Sequence, residues 1–148
     1  MSCIFNYVFR NATLKTPLFG LKGKTKWAKV VKVYDGDTIH VVFYLGFKLY
    51  RWKCRLLGID TPEIKTKSEV EHAAAIKAKE KLSDLILNKI ITIKCNNFDK
   101  YGRLLITVYK SRVNINKFMV RQGYAYEYDG GTKNKFEVSF KLIVFAPF

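Results

Sequence analysis

The chain has 148 residues, 49% of them hydrophobic, and a formal net charge of +15 at pH 7. Its length predicts a single domain, and its apolar content excludes an intrinsically disordered chain. The excess of 27 Lys and Arg over 12 Asp and Glu favours a polyanionic partner such as nucleic acid, since solubility alone is obtained more readily with acidic residues.

The cysteines and the N-terminus exclude several classes of protein. The chain has three cysteines, an odd number, and they form no CxxC pair. Neither a disulfide scaffold nor a zinc site is therefore expected. The start of the chain lacks the basic region and the apolar length of a signal peptide, and no segment reaches the length of a transmembrane span. We therefore expect an intracellular protein that does not associate with membranes.

The hydrophobic pattern predicts three β-strands in the first part of the chain. Residues 1–25 are basic and are interrupted by proline and glycine, which is typical of an arm. Apolar and polar residues then alternate over three segments, 27–34, 39–44 and 50–57. Asp35-Gly36 is a favoured hairpin turn, and Gly46 marks a second turn. The three segments therefore predict an antiparallel meander.

Helical and strand patterns follow in the second half of the chain. Ser68 opens a capping box with Glu71, and strong helix formers come after it. Two further strands are predicted at 90–95 and 103–110, and a short helix at 114–122. This order predicts an α+β, mainly β fold: a five-stranded OB-fold barrel with a helix inserted after strand 3 and a second short helix after strand 5. Other small α+β folds share the same order of elements.

Three acidic residues near the ends of the predicted strands are candidates for a cation site. Asp37 follows the first turn, and Asp60 and Glu63 lie in the loop after the third strand. In a meander, these two loops can reach the same end of the sheet. Converging carboxylates repel one another unless a cation neutralises them. Because the ligands would all be oxygens, the pattern indicates Ca²⁺ or Mg²⁺ rather than zinc.

The residues around these acids suit phosphodiester chemistry. Pro62 restricts Thr61 to an extended conformation, which leaves the Thr61 carbonyl oxygen available to a cation. Arg55 and Arg103 each offer a planar guanidinium that can bind a phosphate with two hydrogen bonds. Hydrolysis of a phosphodiester also needs a base for the attacking water, and Glu63 is the candidate.

Four motifs resemble the staphylococcal nuclease (thermonuclease) family. YDGDT, RLLGIDTPE, DKYGR and VRQGYA occur in the family's order and at its separations, over roughly residues 27–128. The resemblance implies an OB-fold and a Ca²⁺-dependent, sequence-nonspecific endonuclease that acts on DNA and RNA. It also implies cleavage of the bond to the 5′ oxygen, which leaves 3′-phosphate ends.

The resemblance assigns roles to individual residues. Asp37 and Asp60 match the calcium carboxylates, and Thr61 matches the residue whose backbone carbonyl binds the metal. Glu63 matches the general base, and Arg55 and Arg103 match the phosphate-binding pair. Asp35 matches an acid near the metal that is not a direct ligand. Tyr126 and Tyr128 match two tyrosines of the nucleotide pocket. The two arginines would bind the substrate and also stabilise the transition state.

Both ends of the chain depart from the family pattern. The basic arm has no counterpart in the family, which commonly ends in a long polar helix. Residues 136–145 instead alternate as a strand would. We therefore divide the chain into an arm, 1–25, a nuclease-like OB-fold domain, 26–134, and an apolar C-terminal segment, 135–148, in which residues 136–145 could support self-association. No obligate protein partner is indicated.

Each motif also has a purely structural interpretation. Asp-Gly is a turn pair in any protein, DTPE can cap a loop, and a lone arginine is commonly solvated. The main alternative function is a non-catalytic OB-fold module that binds nucleic acid. The acids distinguish the two functions, because a binding module does not need them and here all of them are present. The joint occurrence of the motifs therefore favours the nuclease.

Overall fold

The computed structural model describes residues 7–131, so the strand predicted at 136–145 lies outside the described residues. In chain order, the elements are β1 (Thr25–Val33), β2 (Thr38–Leu45), β3 (Lys48–Leu56), β4 (Ile59–Asp60), α1 (Glu69–Ile86), β5 (Ile90–Phe98), β6 (Leu104–Lys110), β7 (Val113–Asn114), α2 (Ile115–Arg121) and β8 (Tyr126–Glu127). None of the helices in this part of the chain has the length and apolar character that a membrane crossing needs.

A five-stranded barrel forms the body of the structure. The main sheet has the order β3-β2-β1-β5-β6-β7, with antiparallel neighbours. β3 also pairs in parallel with β6, with Cys54 opposite Leu104 and Leu56 opposite Ile106, and this pairing closes the barrel. The predicted OB-fold is therefore confirmed, with α1 after the third barrel strand and α2 after the fifth. The two-residue strands β4, β7 and β8 are not predicted by the sequence.

Alternating apolar residues fill the barrel. Ile39, Val41 and Phe43, which the pattern of β2 places on one face, are all buried. Helix α1 adds Ala78 and Leu82 to the same core, because these residues recur at helical spacing and share one face of the helix. The side chains between the buried strand positions therefore point away from the core.

The helix caps agree with the sequence, but the capping box is only half formed. Ser68 Oγ accepts from the backbone N–H of Glu71 at 3.3 Å, as predicted. The Glu71 carboxylate does not complete the box, because the Ser68 N–H donates to Thr66 Oγ1. The carboxylate accepts instead from the Thr66 hydroxyl at 2.6 Å and from the Glu63 N–H at 3.2 Å. Helix α1 therefore anchors the loop that carries Glu63.

A buried asparagine fixes the start of that loop. Asn116, on α2, donates to the carbonyl oxygen of Leu57 at 2.9 Å and to that of Ile106 at 3.1 Å. Its own side-chain oxygen accepts from the Val108 N–H at 3.0 Å. Because all three bonds are made inside the protein, the residue after β3 is held at a fixed place beside β6.

Gly36 brings the β1–β2 turn into close contact with the loop after β3. A Cβ atom at Gly36 would lie 2.8 Å from Cγ2 of Thr61 and 3.0 Å from Cβ of Ala78. Distances this short leave no room for a larger residue. Asp37 directly follows Gly36, and Asp60 directly precedes Thr61, so this contact helps to hold the two acidic residues side by side.

Replacing Gly36 with alanine should lower the free energy of unfolding by about 1–3 kcal/mol, the usual cost of overpacking. Urea denaturation followed by circular dichroism measures this change. Gly20→Ala is the matched control, because a Cβ atom at Gly20 would have no atom within 4 Å. A Gly36→Ala protein as stable as the control would show that the turn and the loop are not in close contact.

Candidate active site

A cleft of about 840 Å³ lies where four connections of the barrel meet. They are the β1–β2 turn, the loop after β3, the β5–β6 turn and the residues after β8. The sequence-predicted residues that line it are Asp37, Arg55, Asp60, Thr61, Glu63, Arg103 and Tyr128. Tyr126 is not among the described residues at the cleft wall. The topology thus gathers side chains that are far apart in the sequence.

Arg55 lies between two buried carboxylates. Its Nη1 atom is 2.8 Å from Oδ2 of Asp37, and its Nη2 atom is 2.6 Å from Oδ1 of Asp60. The exposed fraction is 3% for Asp37 and 0% for Asp60. Because both carboxylates bind neighbouring nitrogens of one guanidinium, Asp37 and Asp60 are adjacent, as the meander predicts.

The β1–β2 turn is shaped by its first acid. Asp35 Oδ1 accepts from the backbone N–H groups of Asp37 at 3.1 Å and Thr38 at 2.7 Å. This bonding is the usual way in which aspartate stabilises a turn. The Thr38 hydroxyl then donates to Asp37 Oδ1 at 2.8 Å. Asp35 therefore supports the backbone of Asp37, while the Asp37 carboxylate points toward Arg55.

Asp60 is held from the opposite side by a short pair of strands. β4 and β8 pair antiparallel, with Asp60 opposite Tyr126. The Tyr126 hydroxyl donates to Asp60 Oδ2 at 3.0 Å. The sequence predicts that Tyr126 binds substrate, and that role stays a prediction. The contact that the structure shows is with Asp60.

The charges of this cluster do not balance. Two carboxylates surround one guanidinium, which leaves an excess of one negative charge when both are ionised. Burial raises the pKa of Asp37 to about 8, although the charge of Arg55 acts in the opposite direction. Burial alone would lower the pKa of Arg55, but Asp37 and Asp60 outweigh it and the pKa is raised. Burial and the charge of Asp60 also raise the pKa of Tyr126, which keeps its hydroxyl a donor.

Arg103 has a carboxylate partner that the sequence does not predict. Its Nε atom lies 2.7 Å from Asp99 Oδ2, and its Nη1 atom donates to Thr38 Oγ1 at 3.4 Å. Burial acts to raise the pKa of Asp99, but hydrogen bonds from the backbone and side chain of Arg103 lower it. The spacing of an acid and an arginine across the turn DKYGR is the signal that could have indicated this pair. Asp99 therefore positions Arg103 at the cleft.

Glu63 and Tyr128 also line the cleft. Glu63 is exposed, and its backbone is held by the bond from its N–H to Glu71. The Tyr128 ring centroid is 5.9 Å from Cζ of Arg55, close enough for a cation–π contact. The Tyr128 hydroxyl donates to the carbonyl oxygen of Gly131 at 2.7 Å. Both side chains are thus placed where a substrate entering the cleft would meet them.

The three predicted acids line one cleft but differ in burial. Within residues 7–131, no group of three or more His, Cys, Asp and Glu is arranged to hold a metal ion. Asp37 and Asp60 are buried side by side, whereas Glu63 lines the same cleft and is exposed. A site shared by all three carboxylates therefore stays a prediction. The pair still fits a hard cation, since it offers buried oxygen ligands and an uncompensated negative charge. Thr61, whose carbonyl oxygen is the third predicted ligand, is buried beside it.

Loss of Arg55 should destabilise the protein far more than loss of Arg103. In buffer without divalent metal, Arg55→Gln leaves the buried side chains of Asp37 and Asp60 without the cation that binds both, and we expect a cost of about 3–5 kcal/mol. Arg103→Gln should cost less than about 1 kcal/mol, because its pair with Asp99 is partly exposed. Urea denaturation at neutral pH measures both values. If both variants lose the same free energy of unfolding, Arg55 does not bridge the two buried acids.

Comparisons with known proteins agree with the resemblance seen in the motifs. The family model described as "Staphylococcal nuclease homologue" matches residues 53–141. This range includes Arg55, Asp60 and Arg103, and it begins after Asp37.

Three relatives illustrate the similarity. The chain is 41% identical over 100 residues to an uncharacterized endonuclease of Haemophilus influenzae, with 68% of this chain and 51% of the relative covered. It is 36% identical over 102 residues to an uncharacterized endonuclease of Escherichia coli O157:H7, with 68% of this chain and 60% of the relative covered. It is 31% identical over 109 residues to a micrococcal nuclease of Shigella flexneri, with 68% of this chain and 57% of the relative covered.

The chain thus spans between half and three fifths of the length of these curated relatives. The family model, however, matches more than half of the chain. The cleft with its paired acids and arginines, the closed barrel and this match lead to one conclusion: the chain belongs to the staphylococcal nuclease homologue family.

Proposed function

We propose that the chain is a Ca²⁺-dependent, sequence-nonspecific endonuclease that hydrolyses phosphodiester bonds of DNA and RNA and leaves 3′-phosphate ends. The observation that carries this proposal is the Arg55 guanidinium between two buried carboxylates in an open cleft. A second arginine, Arg103, lines the same cleft. The names of the relatives, which describe endonucleases and a nuclease, support the same activity.

Both arginines have donors left for a phosphate. A guanidinium has five N–H bonds. Arg55 uses one on each terminal nitrogen for a carboxylate, and Nη2 also donates to the carbonyl oxygen of Ile59 at 3.5 Å, which leaves Nε and one Nη1 donor for a phosphate. Arg103 is bound to Asp99 through Nε and to Thr38 through Nη1, so its Nη2 atom is used for neither of these bonds. Because their carboxylate partners already orient them, the two cations need little reorganisation when negative charge builds up on the phosphate.

Asp37, Asp60 and the Thr61 carbonyl oxygen would hold the metal ion, and water would complete its shell. When bound, Ca²⁺ supplies charge that polarises a non-bridging phosphate oxygen and neutralises the carboxylate pair. A small set of charged ligands predicts weak affinity, toward the millimolar end of the range for calcium sites. Binding of the ion would also favour the ionised form of Asp37, whose pKa is raised by burial.

Glu63 acts as the base in this proposal. Its carboxylate lies at the exposed wall of the cleft, where water is available. Water attacks phosphorus as the bond from phosphorus to the 5′ oxygen breaks, so the phosphate stays on the 3′ side. Glu63 takes the proton that the water loses, and the departing 5′ oxygen takes a proton from solvent.

A plasmid-nicking assay tests the activity. We expect conversion of supercoiled to nicked DNA in CaCl₂ and none in EDTA, with MgCl₂ as a parallel reaction. End-labelling should then find phosphate on the 3′ ends of the products. If DNA is bound but never cut in any of the three conditions, the chain is the non-catalytic binding module that is the alternative to a nuclease.

The roles of Glu63 and Arg103 are tested by single substitutions. Glu63→Gln should lower kcat at least about 100-fold, because the water loses its base, while DNA binding in EDTA is retained. Arg103→Gln should raise the barrier by about 3 kcal/mol, as removal of a preorganised donor usually does. Parent-level cleavage by the Glu63→Gln protein in CaCl₂ would show that Glu63 is not the base.

Tyr126 should affect the metal through Asp60. Tyr126→Phe removes the hydroxyl that donates to Asp60, and we expect Ca²⁺ affinity to fall about 10–100-fold, as for other residues that orient a ligand. Isothermal titration with CaCl₂ alone measures this change without DNA. Tyr128→Phe is the control, since its hydroxyl donates to Gly131. Equal affinities in both variants would leave Tyr126 with no part in the metal site.

A further inference from the structure

The outer side of the β1–β2–β3 meander is strongly basic. These three strands contain seven Lys and Arg residues, three in β1 and four in β3, and no Asp or Glu. Opposite residues of antiparallel strands share one side of the sheet. The register therefore forms two rows across the strands, Lys32–His40–Lys53 and Lys29–Val42–Arg51. We call the cationic and imidazole side chains of these rows the outer basic face: Lys29, Lys32, His40, Arg51 and Lys53.

The cations of the outer basic face are open to a partner. Lys29, Lys32, Arg51 and Lys53 are all exposed. Within residues 7–131, the ion pairs are those of Arg55 and Arg103, so no carboxylate of the described chain neutralises this surface. His40 lies opposite Lys32 on one side and Lys53 on the other, and burial together with the charges of Arg51, Lys32 and Lys53 lowers its pKa.

The outer basic face is continuous with the cleft. Arg51, Lys53 and Arg55 alternate along β3, so their side chains leave the strand on the same side. Arg55 is bonded to the two acids of the cleft, whereas Arg51 and Lys53 extend the line of positive charge away from it. From Arg55 to Arg51 the strand rises ~13 Å, which is the axial rise of about four nucleotides in one strand of a duplex.

We propose that the outer basic face binds the phosphate backbone of duplex DNA beyond the bond that the cleft cleaves. The proposal rests on the nuclease function proposed above and adds a second contact surface to it. Charge complementarity identifies the occupant, because a group of exposed cations with no acid among them suits a chain of phosphates. The face carries no acid and few side-chain acceptors that could read base edges, so binding there is independent of sequence.

A binding experiment in EDTA tests the surface without cleavage. Fluorescence anisotropy with a duplex of about 20 base pairs gives Kd at several salt concentrations. Arg51→Gln/Lys53→Gln should weaken binding about eightfold per lost contact at 0.1 M salt and reduce the salt slope by about 1.8. Arg112→Gln/Lys117→Gln is the matched control, because it removes one exposed arginine and one exposed lysine outside the meander.

A cleavage experiment separates the outer face from the cleft. A dinucleotide has one phosphodiester and reaches only the cleft, whereas long DNA extends onto the face. The ratio of kcat/KM for long DNA to that for the dinucleotide should fall more than about tenfold in Arg51→Gln/Lys53→Gln and stay unchanged in the control. An unchanged ratio together with an unchanged Kd would overturn the proposal.

The outcomes also separate this proposal from the nuclease function. If Arg51→Gln/Lys53→Gln loses DNA binding but neither this variant nor the parent protein cleaves DNA, the outer basic face is supported and the nuclease function is contradicted. If the protein cleaves DNA but both double variants bind it equally, the nuclease stands and the outer face fails. A loss of binding to vesicles containing phosphatidylserine, with DNA binding intact, would assign the face to a membrane surface and would also overturn the proposal.

Discussion

The double ion pair of Arg55 with Asp37 and Asp60 is the interaction on which the rest of the site depends. Two buried carboxylates would be costly side by side without a cation, and one guanidinium compensates for only part of their charge. The remaining negative charge makes the pair a fitting place for a hard metal ion. The same arginine keeps N–H donors for a phosphate. In the proposed function, this one side chain thus links stability, metal binding and substrate binding.

The barrel places this cluster through contacts that are local and specific. Gly36 lets the β1–β2 turn approach the loop after β3, and Asn116 fixes the start of that loop against β6. The small β4–β8 pair then brings Tyr126 to Asp60. On the other wall, Asp99 orients Arg103. Asp37, Asp60 and Arg55 are therefore held by neighbours from different segments, whereas Arg103 is held by an acid of its own turn.

The sequence predicts much of this arrangement because its signals are local. The strand alternation, the Asp-Gly turn and the Ser68 cap act over a few residues, and the structure has each of them. The predictions are weaker for contacts between distant segments. Glu71 serves the Glu63 loop instead of completing a capping box, and the Tyr126–Asp60 bond depends on a two-residue strand pair that no periodicity reveals. The burial of the acids is a further example, because no local pattern shows that Asp37 and Asp60 are buried while Glu63 is exposed.

A crystal structure of the chain grown with CaCl₂ and a thymidine dinucleotide analogue would show whether one ion and one phosphate bind at this cluster. We predict an ion bound by carboxylate oxygens of both Asp37 and Asp60, with a phosphate oxygen near Arg55 and Arg103. A structure in which the ion binds elsewhere, or in which Arg55 keeps both carboxylates and the phosphate lies outside the cleft, would contradict it.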